Sequence, residues 1–141
     1  MYPNTHKILQ HLRENKKRLF LATFKPEKPT LRIIQQFKLN YFEEIYTIDK
    51  FKEHISKEKM IEIILEKYNL DCNETCMIGD APSDMIAAKK NNIKAIGAYW
   101  GYGDNKTELL KNADIIIKSI EELCLYKSIG FHSQKIKTTW Y

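Results

Sequence analysis

Two carboxylates near the middle of the chain are the residues best suited to chemistry. Asp80 follows Gly79 at the end of the apolar run 76–78, and Asp84 lies one helical turn later. Glycine lets the backbone turn sharply where a strand ends, so the two acids can approach each other. Because like charges repel at short range, the pair predicts a hard metal such as Mg²⁺, or a lysine, between them. An ordinary turn followed by a helix N-terminus is the alternative interpretation.

Two further positions are candidates for holding an anion beside these acids. Thr23 ends an apolar run and offers a hydroxyl, and the backbone amide of Phe24 suits an oxygen of a phosphate. Lys57 opens a predicted helix, where a cation opposes the helix dipole, so its position indicates a ligand. A solvated surface lysine is the alternative, and Lys59 is a second candidate two residues further on.

The elements that must position these residues alternate along the chain. Helices are predicted at residues 4–15, 26–37, 57–68, 83–91, 107–112 and 119–126, and strands at 19–23, 44–48, 76–78, 95–98 and 114–117. Strands separated by helices predict an α/β fold, a Rossmann-like doubly wound parallel sheet with helices on both faces. Such sheets bind ligands at the carboxyl ends of their strands, so Thr23, Lys57 and Asp80 should face one crevice.

Composition limits the classes of protein to consider. The chain has 141 residues, of which 43% are hydrophobic and 29% are charged, a balance typical of one soluble domain with its own core. Neither a membrane-spanning apolar run nor the apolar stretch of a signal peptide is visible. We therefore expect a cytoplasmic protein with no membrane partner.

Charge and metal-binding residue types exclude further classes. The net charge is +5, but the 23 basic residues are spread along the chain, so we expect no nucleic-acid partner. The three cysteines lie in or beside apolar segments, which indicates reduced thiols. The four histidines are scattered, so no histidine metal site is expected.

Four segments of the chain carry a family resemblance. They are Leu-Ala-Thr-Phe-Lys-Pro (21–26), Ser-Lys-Glu-Lys-Met-Ile (56–61), Met-Ile-Gly-Asp-Ala-Pro-Ser-Asp-Met-Ile-Ala-Ala-Lys-Lys-Asn-Asn-Ile (77–93) and Gly-Ala-Tyr-Trp-Gly-Tyr-Gly (97–103). These segments resemble the second, third and fourth motifs of the haloacid dehalogenase-like hydrolases, in particular the phosphoglycolate phosphatase-like branch. The resemblance covers about residues 2–125.

The resemblance implies a phosphate monoester hydrolase that uses Mg²⁺ and an aspartyl-phosphate intermediate. Carried over by motif, Thr23 and the Phe24 amide would bind the phosphoryl group of a small phosphorylated metabolite. Lys57 would stabilise the charge on the phosphoryl oxygens. Asp80 would ligate the metal, and Asp84 would support that site through water or as a neighbour of the ligand.

The chain departs from the family at the first motif. The family's nucleophile and general acid/base are two aspartates one residue apart at the end of the first strand, and no two aspartates here have that spacing. The resemblance begins at residues 2–3, just after the family's helical cap, so we expect the cap and first strand to be absent. We predict a partial core at residues 1–126, followed by a tail at 127–141 of uncertain structure.

The missing motif leads to two functional hypotheses. The first is a phosphatase by family, with little or no activity in this chain alone and weak or no Mg²⁺ binding. The alternative is a non-catalytic domain that binds phosphate or magnesium, or serves in assembly.

The missing strand also leaves a structural question. In the family it lies at the centre of the sheet, between the strands that end at Thr23 and Asp80, and the backbone groups there need partners. Three solutions are open: the two strands pair directly, another chain supplies a strand, or the tail does. Ile136, Thr138 and Trp140 alternate as in a strand, although a frayed terminus is the simplest expectation for the tail. A depleted sheet also favours self-association.

Overall fold

Helices and parallel strands alternate in the computed structural model, which describes residues 3–100, 105–129 and 134–138. The α-helices are α1 (Thr5–Glu14), α2 (Glu27–Gln36), α3 (Lys57–Lys67), α4 (Pro82–Lys90) and α5 (Lys106–Asn112). The strands are β1 (Arg18–Ala22), β2 (Glu44–Tyr46), β3 (Thr75–Gly79), β4 (Lys94–Ala98), β5 (Ile115–Ile117) and β6 (Gln134–Thr138). Short 3₁₀ helices span Ile48–Lys50, Cys72–Glu74 and Ile120–Ile129.

All six strands form one parallel sheet, in the order β2-β1-β6-β3-β4-β5. The predicted doubly wound α/β fold is therefore confirmed. None of the described helices has both the length and the apolarity needed to cross a membrane.

Two apolar clusters cover the two faces of the sheet. Side chains of α1, α2 and the last 3₁₀ helix pack on one face, against alternate residues of β1 such as Leu19 and Leu21. Side chains of α3, α4 and α5 pack on the other face, against the intervening residues Phe20 and Ala22. A strand that is covered on both sides is normally apolar, which fits the apolar runs 19–22 in β1 and 76–78 in β3.

The last predicted helix differs in type from the prediction. A helix was predicted at residues 119–126, and the structure has the 3₁₀ helix Ile120–Ile129 there. Ile120 and Leu123 are both buried, and their spacing of three residues is one full turn of a 3₁₀ helix. This spacing satisfies both helix types, so the apolar pattern could not distinguish them.

β6 lies at the centre of the sheet, between β1 and β3 and parallel to both. Ile136 is level with Phe20 on one side and with Met77 on the other. Of the three solutions that the sequence left open, the structure shows the tail filling the gap. The frayed terminus expected there is wrong for residues 134–138, because two strands with unsatisfied backbone groups flank that position. Trp140 lies outside the described residues, and the domain boundary at residue 126 stays a prediction.

Candidate functional site

A cavity of about 380 Å³ opens where β1 and β3 end. It is lined by Thr23, Phe24, Lys25, Lys57, Asp80, Ala81, Ser83 and Asp84. Thr23 and Asp80 are the first residues after their strands, and Lys57 begins α3. The structure thus brings together all five residues that the sequence singled out, at the edge where parallel sheets bind ligands.

Gly79 allows the close approach of the first turn of α4 to the end of β3. A Cβ atom at position 79 would lie only 2.6 Å from the Cβ atom and 2.7 Å from the Cγ atom of Asp84. The Asp84 carboxylate also accepts a hydrogen bond from the backbone N–H of Ala81, at 3.3 Å through Oδ2. The turn therefore fixes Asp84 against the backbone of the strand end.

A lysine lies beside this buried carboxylate. Lys57 Nζ is 3.5 Å from Asp84 Oδ1, and the two side chains are only 12% and 6% exposed. Lys59, the alternative lysine, is instead paired with Glu62 at 2.8 Å on an exposed face of α3. Ser56 caps this helix by accepting the backbone N–H of Lys59, so Lys57 is held at the first helical position, where its side chain enters the cavity.

Opposing effects act on the pKa of the Asp84 carboxyl. Burial raises the pKa of the Asp84 carboxyl above its usual range, and the negative charge of Asp80 adds to this increase. The positive charge of Lys57 and the hydrogen bond from Ala81 act in the opposite direction. Burial is the largest of these effects, so the ammonium of Lys57 compensates only in part for the loss of water around the acid.

The turn after β1 is held by Thr23. Its side chain is buried, its backbone N–H donates to the carbonyl of Tyr46, and its Oγ1 accepts the backbone N–H of Lys25 at 3.1 Å. This local hydrogen bond is typical of turns at strand ends. It places Phe24 and Lys25 at the rim of the cavity.

The side chain of Phe24 is a part of the site that the sequence analysis missed, since only its backbone amide was considered. The ring is 44% exposed, and its centroid lies 4.7 Å from Lys57 Nζ. The exposed ring of His54 lies 6.1 Å away, centroid to centroid. An aromatic residue directly after Thr23 was visible in the sequence, but its contact with α3 depends on the fold.

The described residues were tested for their fit to a metal ion. They contain no group of three or more His, Cys, Asp or Glu side chains that could hold one. Asp80 and Asp84 supply two carboxylates, and Asp84 is already engaged by Lys57 and Ala81. Mg²⁺ keeps several waters and is usually held by one or two carboxylates together with substrate phosphates, so Asp80 is the side chain here that would serve as its ligand.

Known proteins share this fold and these motifs. The family model described as haloacid dehalogenase-like hydrolase matches residues 1–98. A phosphoglycolate phosphatase of Vibrio parahaemolyticus is 27% identical over 124 residues, which cover 87% of this chain and 54% of that protein. One of Vibrio cholerae is 29% identical over 115 residues, covering 81% and 50%. The chain spans about half the length of these curated relatives.

Solved structures with a similar fold include further phosphatases and haloacid dehalogenase-like proteins. A predicted phosphatase from Clostridium acetobutylicum superimposes with a TM-score of 0.78 at 34% identity, over 91% of this chain and 59% of that one. A haloacid dehalogenase-like family protein from Streptococcus pneumoniae has a TM-score of 0.80 at 23% identity, over 89% and 59%, and supports the fold.

The resemblance inferred from the motifs is confirmed, although residues 101–103 of the glycine-rich segment lie outside the described residues. The family model extends from the first residue through β4 and includes Thr23, Lys57, Asp80 and Asp84. This chain belongs to the haloacid dehalogenase-like hydrolases.

Proposed function

We propose that this chain provides the phosphate-binding half of a phosphatase of the phosphoglycolate phosphatase type, which hydrolyses phosphate monoesters. The observation that carries the proposal is the cavity that joins Thr23, Lys57 and Asp80 at the carboxyl edge of the sheet. The curated relatives named phosphoglycolate phosphatase support this reaction class.

Each residue has a proposed role that follows from its chemistry. Thr23 and the amide of Phe24 donate to oxygens of the phosphoryl group, and Lys57 offsets the charge of that group. Asp84 acts through Lys57, because its carboxylate holds the lysine ammonium at the cavity. These residues bind and orient a dianion, which is a large part of what phosphoryl transfer requires of a protein.

The chain alone is proposed to have little or no turnover. The centre of the sheet is occupied by Gln-Lys-Ile-Lys-Thr (134–138), which contains no carboxylate to act as a nucleophile. Mg²⁺ is the metal that the family implies, with Asp80 as its ligand and Asp84 as the supporting acid. With only these two acids at the cavity, we propose weak Mg²⁺ binding or none.

The lack of acids in β6 also favours a second candidate, a non-catalytic domain that binds phosphate or magnesium, or takes part in assembly. Without an acid in the central strand, the cavity could hold a ligand but could not form an aspartyl-phosphate. A small phosphorylated metabolite is the proposed ligand in both cases. A cytoplasmic location, the lack of a nucleic-acid partner and self-association stay predictions.

Two measurements on the full chain test the proposal. The first is hydrolysis of phosphoglycolate with Mg²⁺, comparing the chain with Asp80→Asn, and we expect turnover near background for both. Robust Mg²⁺-dependent hydrolysis that is lost in Asp80→Asn would contradict the inactive half-site and reject the non-catalytic candidate.

The second measurement is calorimetric binding of inorganic phosphate. We expect binding that Lys57→Met reduces at least tenfold and that Lys59→Met, the matched change at the exposed lysine, leaves within twofold. Failure of the wild-type chain to bind phosphate would contradict the phosphatase half-site and would leave only magnesium binding or assembly for the second candidate.

A further inference from the structure

We infer that the ring of Phe24, with that of His54 beside it, forms an aromatic rim that selects phosphorylated compounds whose remaining part contains a flat ring. The inference deepens the proposed function and rests on it, because the phosphoryl group of such a compound would occupy the cavity described above. It assigns a substrate class, planar-ring phosphate monoesters, to a cavity whose charged residues alone would accept any phosphate.

The position of Phe24 is the first argument. Thr23 is 1% exposed, whereas the next residue, Phe24, is 44% exposed and lines the cavity. Single apolar side chains at a protein surface are common and carry no meaning by themselves. This one is different because a local hydrogen bond from Lys25 to Thr23 fixes its turn, directly beside the residues proposed to hold phosphate.

The contacts of the ring are the second argument. Lys57 Nζ lies 4.7 Å from the ring centroid and 3.5 Å from the Asp84 carboxylate, so the ammonium contacts both groups. A cation at this distance from an aromatic ring is attracted to its face. The ring therefore has a defined position relative to the charge that would hold the phosphoryl group.

His54 does not line the cavity, but its ring lies beside that of Phe24. Its ring is inclined by 49° to that of Phe24, with the centroids 6.1 Å apart, and the residue is exposed just ahead of α3. Inclined and offset rings are the favoured arrangements of aromatic pairs. The cavity thus combines the ammonium of Lys57, suited to an anion, with the Phe24 ring at its mouth, and His54 extends the flat apolar surface of that ring.

This combination predicts a preference among esters. A phosphate monoester with an aromatic ring can place its phosphoryl group at Lys57 while its ring packs against Phe24. Phosphoglycolate has no ring, and inorganic phosphate has no second part at all, so neither can use the rim. Aromatic packing of this kind changes an affinity by roughly fivefold to tenfold.

The test is calorimetric titration of the full chain with phenyl phosphate, phosphoglycolate and inorganic phosphate at the same pH and ionic strength. We expect phenyl phosphate to bind about fivefold to tenfold more tightly than the other two. The quantity compared between variants is the ratio of the phenyl phosphate and inorganic phosphate dissociation constants, so that a change in phosphate binding itself cancels.

Matched variants locate the preference. Phe24→Ala should bring the ratio close to one, and His54→Ala should reduce the preference in part. Tyr99→Ala is the control, because Tyr99 is a 39% exposed aromatic with Lys106 Nζ 5.2 Å from its ring, yet it does not line the cavity. This control should retain the wild-type ratio, and thermal unfolding verifies that each variant folds.

The outcomes separate the two proposals. Phosphate binding without a preference for phenyl phosphate, or a preference that survives both Phe24→Ala and His54→Ala, would overturn the rim and leave the phosphate site intact. Binding of phenyl phosphate without inorganic phosphate would overturn the phosphate site instead. Binding of neither compound would overturn both.

Discussion

β3 and β6 lie side by side at the centre of one sheet, yet β3 has an apolar sequence and β6 a largely polar one. β3 is Thr-Cys-Met-Ile-Gly, and all five residues are buried. β6 is Gln-Lys-Ile-Lys-Thr, with a single apolar residue. Register places Lys135 and Lys137 level with Cys76 and Ile78, which belong to the apolar cluster on one face of the sheet. Central strands of a parallel sheet are normally apolar, so the sequence of β6 departs from this pattern.

The difference shows that two kinds of interaction define the central strands. β3 holds its place through burial of its side chains, whereas β6 gains its place from backbone pairing with β1 and β3 on its two edges. Substitutions should therefore change the free energy of unfolding through side-chain burial in β3 and through backbone pairing in β6. The following predictions test that distinction, beginning with the largest effect.

Removing a side chain from β3 should be the most damaging change. Met77 is fully buried at the centre of the sheet, so Met77→Ala should lower the free energy of unfolding by about 3 kcal/mol. Urea unfolding measures this change. Lys135→Ala is the matched truncation in β6, and we expect it to lie within about 0.5 kcal/mol of the wild type. Equal losses in the two variants would show that side-chain burial holds both strands.

Disrupting the backbone of β6 should have the next largest effect. Ile136→Pro removes an N–H group and fixes the backbone in a strand paired on both edges, so we expect a loss of about 2 kcal/mol. Ile136→Val retains the backbone hydrogen bonds and should lose about 1 kcal/mol or less. Hydrogen exchange at Leu21 and Ile78 would locate the change in the flanking strands. Similar small losses in both variants would argue against backbone pairing of β6.

Making β6 more like β3 should stabilise the protein. Lys137 is level with Leu21 and Ile78 in the register, so Lys137→Ile replaces a charged residue with a β-branched apolar one in a central strand of the sheet. We expect a gain of about 1 kcal/mol in the free energy of unfolding. Lys111→Ile, at an exposed position of α5, serves as the control and should change stability by less than about 0.5 kcal/mol. A loss of stability in Lys137→Ile would disprove the mismatch inferred for β6.

The smallest effect concerns Asp84, the buried acid in the first turn of α4, which packs against the end of β3. Burial raises the pKa of Asp84, so the folded protein holds this proton more tightly than the unfolded chain does. The contribution to stability is therefore present below the ordinary aspartate pKa of about 4 and is lost as pH rises through the raised value.

Asp84→Asn provides the comparison for this effect, because asparagine does not titrate. Asp49 acts in the opposite direction, since the hydrogen bond from the backbone N–H of Glu27 lowers its pKa. Subtracting the pH profiles of the two proteins removes that contribution. We expect the wild type to lose stability relative to Asp84→Asn as pH rises, and the opposite sign would contradict a raised pKa.

The same distinction explains how much of the fold could be predicted. β1 and β3 are apolar runs, and their place in a parallel sheet followed from burial on both faces. β6 has no such pattern, and its position depends on backbone groups of Leu21 and Ile78 that lie far away in sequence. Side-chain periodicity contains no information about those partners, so a strand in the tail could only be offered as one of several solutions.

The candidate site, like the fold, could be predicted from the sequence only in part. Thr23, Lys57 and Asp80 were assigned to one crevice because each lies at the end of a strand or the start of a helix, and the cavity contains all three. The pairing of Lys57 with Asp84 required the distance between α3 and α4, which no local pattern fixes. The ring of Phe24 was missed for the same reason, since its contacts are with residues more than 25 positions away.

The place of β6 also determines the order in which the chain can fold during synthesis. β6 follows every other described strand in sequence, so β1 and β3 leave the ribosome long before the strand that separates them. At 5–20 residues per second, the interval between the end of β3 and the start of β6 is roughly 3–10 s. The pair β2-β1 and the trio β3-β4-β5 are thus made as two separate parts, and β1 and β3 each lack the partner that β6 later supplies. A nascent chain in that state has unpaired strand edges that can pair with a wrong strand. The five residues of β6 remove this risk when they pair with β1 and β3.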